Sequence, residues 1–280
     1  MRFYKGHSFG NNFIILEDFS AALTKITKDL IVKLCDPKVG IGADGVMIAS
    51  PSNQATIKMK IFNSDGSEAA MCGNGARLFA KYAFEKKLVN SNFFVIETKA
   101  GLVEVALETR KEKVLTTVVN IGQPSWSINN FPASKRVKRG SLIDYRLKLQ
   151  GSSWLVTGIV IGVPHVVVFT SPLDERLMRQ VGYAIEHHRS FSQGVNVDFV
   201  TVEQKNKISI VTWERGVGLT SSCGTGAAAA VVAGNLTDRT TKTVEVKFKL
   251  GKVKVTWGDD NNLILEGEAA EDIAEGEFLG

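Results

Sequence analysis

The 280-residue sequence has only three cysteines, at positions 35, 72 and 223. A structural disulfide framework is not expected from so few, and no Cys-x-x-Cys or Cys/His cluster offers metal-ligand spacing. No apolar run is long enough to span a bilayer, and residues 1–20 carry polar and charged side chains throughout. Neither a membrane segment nor a secretory leader is expected, and a cytoplasmic protein follows by default. There is no recognisable lysine context for pyridoxal phosphate and no Gly-x-Gly-x-x-Gly between a strand and a helix, so no cofactor is expected. The net charge of +5 is spread over many segments. Its one dense run, Lys135, Arg136, Lys138 and Arg139 followed by Arg146 and Lys148, lacks interleaved aromatics and reads as a solvated loop or strand face. No nucleic-acid partner is expected, although a modest positive field suits a small anionic ligand.

What the sequence does have is a repeat. Hydrophobic content of 44% against 22% charged residues is that of a globular protein with an ample core, in one large domain or two ordinary ones. The stretch Ile61–Ala76 (IFNSDGSEAAMCGNGA) is echoed by Val211–Ala227 (VTWERGVGLTSSCGTGA). Each is an apolar run, a polar residue, a Gly-containing turn and then Cys-Gly-x-Gly-Ala opening a helix-like segment. Asn63 precedes Cys72 by 9 residues, and Glu214 precedes Cys223 by the same 9. Gly10-Asn11 matches Gly162-Val163, and Gly42 and Asp44 match Gly194 and Asn196, each at an offset of 152. The cysteines match at 151, and Gly101 matches Gly251 at 150. Landmarks that keep nearly one offset over half the chain indicate duplication.

Each half therefore has the same expected layout. Strand-like segments come first (Phe13–Leu16, Val46–Ala49 and Ile57–Phe62, then Val166–Thr170, Val197–Val202 and Ile208–Trp213). One Ala-rich, buried helix follows, from Gly73 to about Lys87 and from Gly224 to about Ala233. Asn90 and Asn235 suit the chain reversal after each helix, and hairpins around Gly101 and Gly251 close the halves. The expected fold is α+β: two pseudo-symmetric domains, each a curled antiparallel sheet around a central helix. The expected division is 1–121 and 122–267, near Gly122-Gln123-Pro124, with the acidic tail (268–280) running back along the first domain.

A cysteine just before a helix N-terminus faces unpaired backbone N–H groups and the positive end of the helix dipole, which favour thiolate. The flanking glycines let the backbone approach a ligand, and the N–H groups can hold a carboxylate. One such motif is equally well a small buried cysteine in a tight turn. Two copies related by duplication place two thiols on facing helix ends, where one removes a proton from a carbon and the other returns one on the opposite face. Without a cofactor, the developing carbanion would be stabilised by the helix N-termini on its carboxylate, with one thiol ionised and the other protonated.

The residues GNNF (10–13), GIGADG (40–45), FNSDGS (62–67), MCGNGAR (71–77), PH (164–165), GVNVDF (194–199), ERGVG (214–218) and CGTGA (223–227) resemble the diaminopimelate epimerase family, in order and over nearly the whole chain. The resemblance implies a cofactor-independent isomerase interconverting LL- and meso-diaminopimelate, on the route to lysine and peptidoglycan, with its site between two pseudo-symmetric domains. Family members are commonly dimeric, so a homodimer acting on a small amino acid is expected. The resemblance implies that Cys72 and Cys223 are the acid/base pair and that the backbones of Gly73, Asn74, Gly224 and Thr225 cradle the reacting carboxylate. Asn11, Asn63 and Asn196 would bind amino and carboxylate groups, Arg215 the distal carboxylate and Glu214 an ammonium, with His165 beside the site. The chain departs from the family at Asn12, where an aspartate is usual, and at Val163, where an asparagine is usual. The repeat singles out Val163 independently, because its counterpart is Asn11. Relaxed substrate selection is expected there, with lysine a natural alternative substrate.

Cys35, after the helix-like LIVKLC, has no echo and reads as packing. His7 reads as a surface or capping residue, and His187 and His188 as a solvated helix end. Two other classes fit parts of the pattern: a non-catalytic binder of a phosphorylated ligand, and a redox sensor using the cysteine pair.

Overall fold

The computed structural model describes residues 1–19, 26–134, 137, 140–149, 151–268 and 273–278. The chain divides into two compact units, Met1–Asn120 with Glu266–Gly280, and Ile121–Leu265. Among the described residues no helix is long and apolar enough to cross a membrane.

The first unit begins with β1 (Arg2–Ser8), β2 (Asn11–Glu17), α1 (Lys28–Cys35), β3 (Gly45–Ser50), β4 (Ile57–Asn63) and β5 (Glu68–Ala69). It continues with α2 (Gly73–Glu85), β6 (Phe93–Thr98), β7 (Gly101–Arg110) and β8 (Lys113–Asn120). The second unit holds β9 (Tyr145–Leu149), β10 (Ser152–Ile161), β11 (Val163–Phe169), α3 (Glu175–Glu186), β12 (Asn196–Gln204), β13 (Lys207–Glu214) and β14 (Gly218–Thr220). Then come α4 (Gly224–Leu236), β15 (Thr243–Phe248), β16 (Gly251–Trp257) and β17 (Leu263–Glu268), which carries the chain back to the first unit and to β18 (Ala274–Glu277). β18 pairs antiparallel with β1, Arg2 opposite Glu277.

The fold is α+β, and in each unit the sheet curls around a buried helix. Leu78, Phe79, Tyr82 and Ala83 of α2 are inaccessible to solvent, as is every residue from Ala227 to Ala233 of α4. α4 has no polar face to offer, so it is stable only when enclosed; each of its two buried valines contributes about 1.5–3 kcal/mol by leaving water.

The sheets are mixed, whereas the sequence suggests antiparallel pairing throughout. β2 runs parallel to β3, β4 to β6, β11 to β12 and β13 to β15. Parallel neighbours need a crossover, and α1, α2, α3 and α4 each supply one. Among the described residues each unit thus has a second helix beside the Ala-rich one that the repeat suggests; α1 contains the helix-like LIVKLC, and α3 ends next to His187. α1 is capped by the Thr27 hydroxyl, which accepts from the Leu30 N–H, and buries Ile31, Leu34 and Cys35 against Ile14, Leu16 and Val46. α3 is capped by Asp174 and buries Val181 and Ile185 against Val197 and Phe199. The reversals after α2 and α4 use left-handed Lys87 (φ 59°) and Asp238 (φ 57°), while Asn235 lies inside α4. The hairpins at Gly101 and Gly251 form as expected, with Thr98 opposite Gly101 and Phe248 opposite Gly251.

Strand registers also correct one detail of the repeat. Phe13 opposes Gly45 in the first unit, and His165 opposes Asn196 in the second. The structural counterpart of Asn196 is therefore Gly45 and not Asp44. One residue is missing between the left-handed glycine (Gly42, Gly194) and the strand that follows it.

Candidate active site

In the first unit β4 ends at Asn63, the chain turns through Gly66, and Cys72 becomes the N-cap of α2 with extended backbone (φ −140°, ψ 120°). Its Sγ accepts the Gly75 N–H at 3.4 Å, which satisfies one of the free amides at the helix start. The thiol lies 3.8 Å from Asn11 Oδ1. Asn11 Nδ2 donates to Asp44 Oδ2 at 3.1 Å, and the same oxygen accepts the Asn12 N–H at 2.7 Å. Asp44 thereby holds the Gly10–Asn12 turn against the cysteine. Gly73 and Asn74 are buried in the first turn of α2. Asn63 is exposed, and its Nδ2 donates to Ser67 Oγ at 3.0 Å.

The second unit repeats this geometry with different side chains. Cys223 caps α4 with nearly the same backbone (φ −139°, ψ 113°), and its Sγ accepts the Gly226 N–H at 3.4 Å. His165, fully buried, joins Asp198 Oδ2 through Nδ1 at 2.8 Å and Thr225 Oγ1 through Nε2 at 3.0 Å. Thr225 Oγ1 lies 3.4 Å from Cys223 Sγ. Burial pushes the Cys223 thiol well above the ordinary range; Glu214 and Asp198 push it the same way, against hydrogen bonds from Thr225 and Gly226. At Cys223, then, desolvation of a charged sulfur opposes the helix N-terminus, which favours thiolate.

Asn196 Oδ1 accepts the Arg215 N–H at 2.8 Å, and the Arg215 guanidinium donates to the Gln193 carbonyl at 2.9 Å. The Asn196 carbonyl is thus committed to the Arg215 turn. Buried Glu186 holds the same turn, accepting the Gly216 N–H at 3.0 Å and the Trp213 Nε1–H at 2.6 Å. Among the described residues no group of three His, Cys, Asp or Glu is placed to hold a metal ion.

The Diaminopimelate epimerase family profile matches residues 3–127 and 157–271. A diaminopimelate epimerase of Caldanaerobacter subterraneus subsp. tengcongensis is 43% identical over 99% of this chain and 99% of its own. One of Bacillus licheniformis is 38% identical over 99% of this chain and 98% of its own. The chain belongs to the diaminopimelate epimerase family. It is therefore a member of a family of isomerases. The fold is also that of a probable proline racemase from Agrobacterium radiobacter K84, with TM-score 0.71 and 13% identity over 99% of this chain and 92% of that one. A hydroxyproline epimerase from Agrobacterium vitis has TM-score 0.66 and 14% identity over 98% and 92%.

In this member of the epimerase family, Asn11, Asn63, Cys72, Gly73 and Asn74 belong to the first unit. His165, Asn196, Glu214, Arg215, Cys223, Gly224 and Thr225 belong to the second. Sequence reasoning missed Glu186, Asp198 and Thr212 and assigned Asp44 no role. Asp198 carried a signal, since it is a lone acid in the apolar run GVNVDFV. Of the other candidates, Cys35 is buried in the α1 core, and His187 forms the end of α3, stacked on Tyr183 at 4.2 Å. Lys135, Arg136, Lys138 and Arg139 lie outside the described residues, as do 269–272 and 279–280 of the tail.

Proposed function

We propose that the protein interconverts LL- and meso-2,6-diaminopimelate without a cofactor, in the cytoplasm and as a homodimer. Cys72 and Cys223 exchange the Cα proton on opposite faces of one carbon, one as thiolate and the other as thiol. The observation that carries this reading is the pair of cysteines that cap α2 and α4 with the same backbone and the same N–H···S bond in a chain of this family. The helix-start N–H groups of Gly73, Asn74, Gly224 and Thr225 are the donors proposed for the reacting carboxylate, where negative charge develops during proton removal. Arg215 is proposed to take the distal carboxylate, Glu214 an ammonium, and Asn11, Asn63 and the Asn196 amide the remaining polar groups.

The test is Cα deuterium exchange by reduced protein in D₂O with LL-diaminopimelate, meso-diaminopimelate and L-lysine side by side. Thiol-dependent exchange with diaminopimelate is the expected result; no exchange with any of the three ends the two-base reading for these substrates.

A second reading, a racemase that also accepts lysine, is favoured by Val163, the counterpart of Asn11. An apolar group there offers nothing to a polar substrate end, so Val163→Asn is expected to raise kcat/KM for diaminopimelate relative to lysine by about tenfold, one good hydrogen bond to a charged group. An unchanged ratio removes Val163 as a specificity position.

A further inference from the structure

Arg215 sits in a hairpin loop whose backbone N–H groups are all held. β13 and β14 pair as far as Glu214 opposite Gly218, which leaves Arg215, Gly216 and Val217 as an exposed loop. The Val217 N–H closes it on the Glu214 carbonyl at 3.0 Å, with Gly216 in the left-handed region (φ 76°). The other two N–H groups reach outside the hairpin, Arg215 to Asn196 Oδ1 and Gly216 to Glu186 Oε1. Water can satisfy an exposed loop amide. Here a carboxylate that is itself only 7% exposed does so instead.

The Trp213 indole is the second hold on the same hairpin. Gly182 and Glu186 are four residues apart and so share one face of α3. The indole rests on the bare Gly182 backbone, where a Cβ would come within 2.7 Å of its Cγ. From that seat Nε1 donates to Glu186 Oε2 at 2.6 Å. Each oxygen of Glu186 thus takes one N–H, from the last turn of β13 and from the loop beyond it. The Arg215 side chain leaves this fixed backbone past Gly194, where a Cβ would stand 3.0 Å from its Cδ. Its guanidinium ends on the Gln193 carbonyl at 2.9 Å.

We propose that Glu186 is a positioning residue: by holding Trp213 and Gly216 it sets the orientation in which Arg215 meets the distal carboxylate of the substrate, and so governs substrate affinity and not proton transfer. The proposal rests on the reading that Arg215 takes that carboxylate. A carboxylate is required at position 186 because both of its partners are donors. Glutamine has the same shape but offers one acceptor and one NH₂. That NH₂ would face either the indole N–H or the Gly216 N–H, donor against donor, and the hairpin would lose one of its two holds on α3. Removing the indole N–H as well removes the mismatch, since the glutamine carbonyl can still accept from Gly216.

The experiment measures KM and kcat for diaminopimelate interconversion by the full-length protein, with urea midpoints alongside. The variants are Glu186→Gln, Arg215→Ala, the pair Glu186→Gln with Trp213→Phe, and the pair Glu186→Gln with Arg215→Ala. Glu186→Gln is expected to raise KM about tenfold and to change kcat by less than about threefold, the pattern of lost ground-state binding. Adding Trp213→Phe should bring KM back to within about threefold of the wild type. This matched pair also carries the test if Glu186→Gln alone fails to fold. Arg215→Ala should raise KM at least about tenfold, and adding Glu186→Gln to it should raise KM no further, because Glu186 acts through Arg215. A Glu186→Gln that lowers the urea midpoint at unchanged KM shows a role in packing alone and overturns the proposal. So do KM increases that multiply in the Arg215→Ala background, or a KM that Trp213→Phe does not restore. Failure of the substrate reading shows separately, in proteins that keep Glu186: an Arg215→Ala with the wild-type KM, or no Cα exchange by the wild type, brings the proposal down with that reading.

Discussion

Removing either thiol is expected to stop interconversion while leaving half of the chemistry in place. Cys72→Ala or Cys223→Ala should each lower the rate of epimerisation by about 10²- to 10⁴-fold, the contribution of one positioned acid or base. The variants should not be inert. With one thiol left, the isomer whose Cα–H meets that thiol can still lose its proton and regain a solvent deuteron on the same face. Each variant should therefore wash deuterium into one isomer with retention, and the two variants should choose opposite isomers. Proton NMR in D₂O reads exchange, and chiral chromatography of the same samples reads inversion. A variant that keeps wild-type inversion would remove its cysteine from the two-base scheme. Unfolding is a poor alternative explanation, because the helix-start bond that alanine removes in each variant is a weak N–H···S cap.

The cysteines and their helices are legible in the sequence because duplication prints them twice: no ordinary packing requirement repeats Cys-Gly-x-Gly-Ala with a polar residue 9 positions upstream. The curled sheet around each helix follows from the Ala-rich run of α4, which has no face for water. What lies behind the cysteines is not legible, because it depends on strand register. Asp198 and Thr212 are 14 residues apart in the chain and meet only because β12 and β13 pair as they do. The same holds for parallel pairing. Alternation of apolar residues reports a half-buried strand but not the direction of its neighbour, and α1 and α3, which make the β2–β3 and β11–β12 crossovers, are shorter than α2 and α4. The missing residue between Gly194 and Asn196 had the same effect, since a constant offset aligned Asn196 with Asp44 until the registers separated them.

Divergence of the two copies explains why the units need different residues at one shared backbone. The first unit places its polar support outside the helix start, in Asn11 and Asp44, where the cysteine is half-exposed. The second places its support inside, in Asp198 and His165, where the cysteine is buried. Two identical thiol environments would titrate together, whereas the two-base reaction proposed above needs one of each protonation state at a time.

That divergence makes the two second glycines unequal, and alanine is expected to separate them. A Cβ on Gly226 would stand 2.4 Å from Asp198 Oδ1 and 2.9 Å from Thr212 Oγ1. Neither atom can retreat: both residues are buried and bonded to each other, and Asp198 is bonded to His165 as well. A Cβ on Gly75 would meet Ile61 Cδ1 at 3.1 Å and Met47 Sδ at 3.4 Å, the far ends of flexible side chains, with Cys72 Cβ also at 3.4 Å. Alanine gains about 1 kcal/mol over glycine in a helix interior. For Gly75→Ala that gain roughly offsets a small repacking cost, and stability in urea should change by less than about 1 kcal/mol. For Gly226→Ala, overpacking costs about 1–3 kcal/mol, and forcing Asp198 off a partner adds about 1–3 kcal/mol more. A net loss of about 1–5 kcal/mol should remain after the helix gain. Equal midpoints for the two variants would mean that Asp198 yields freely. A yielding Asp198 cannot hold the His165 ring in place, so the urea comparison also bears on whether the carboxylate behind Cys223 is fixed.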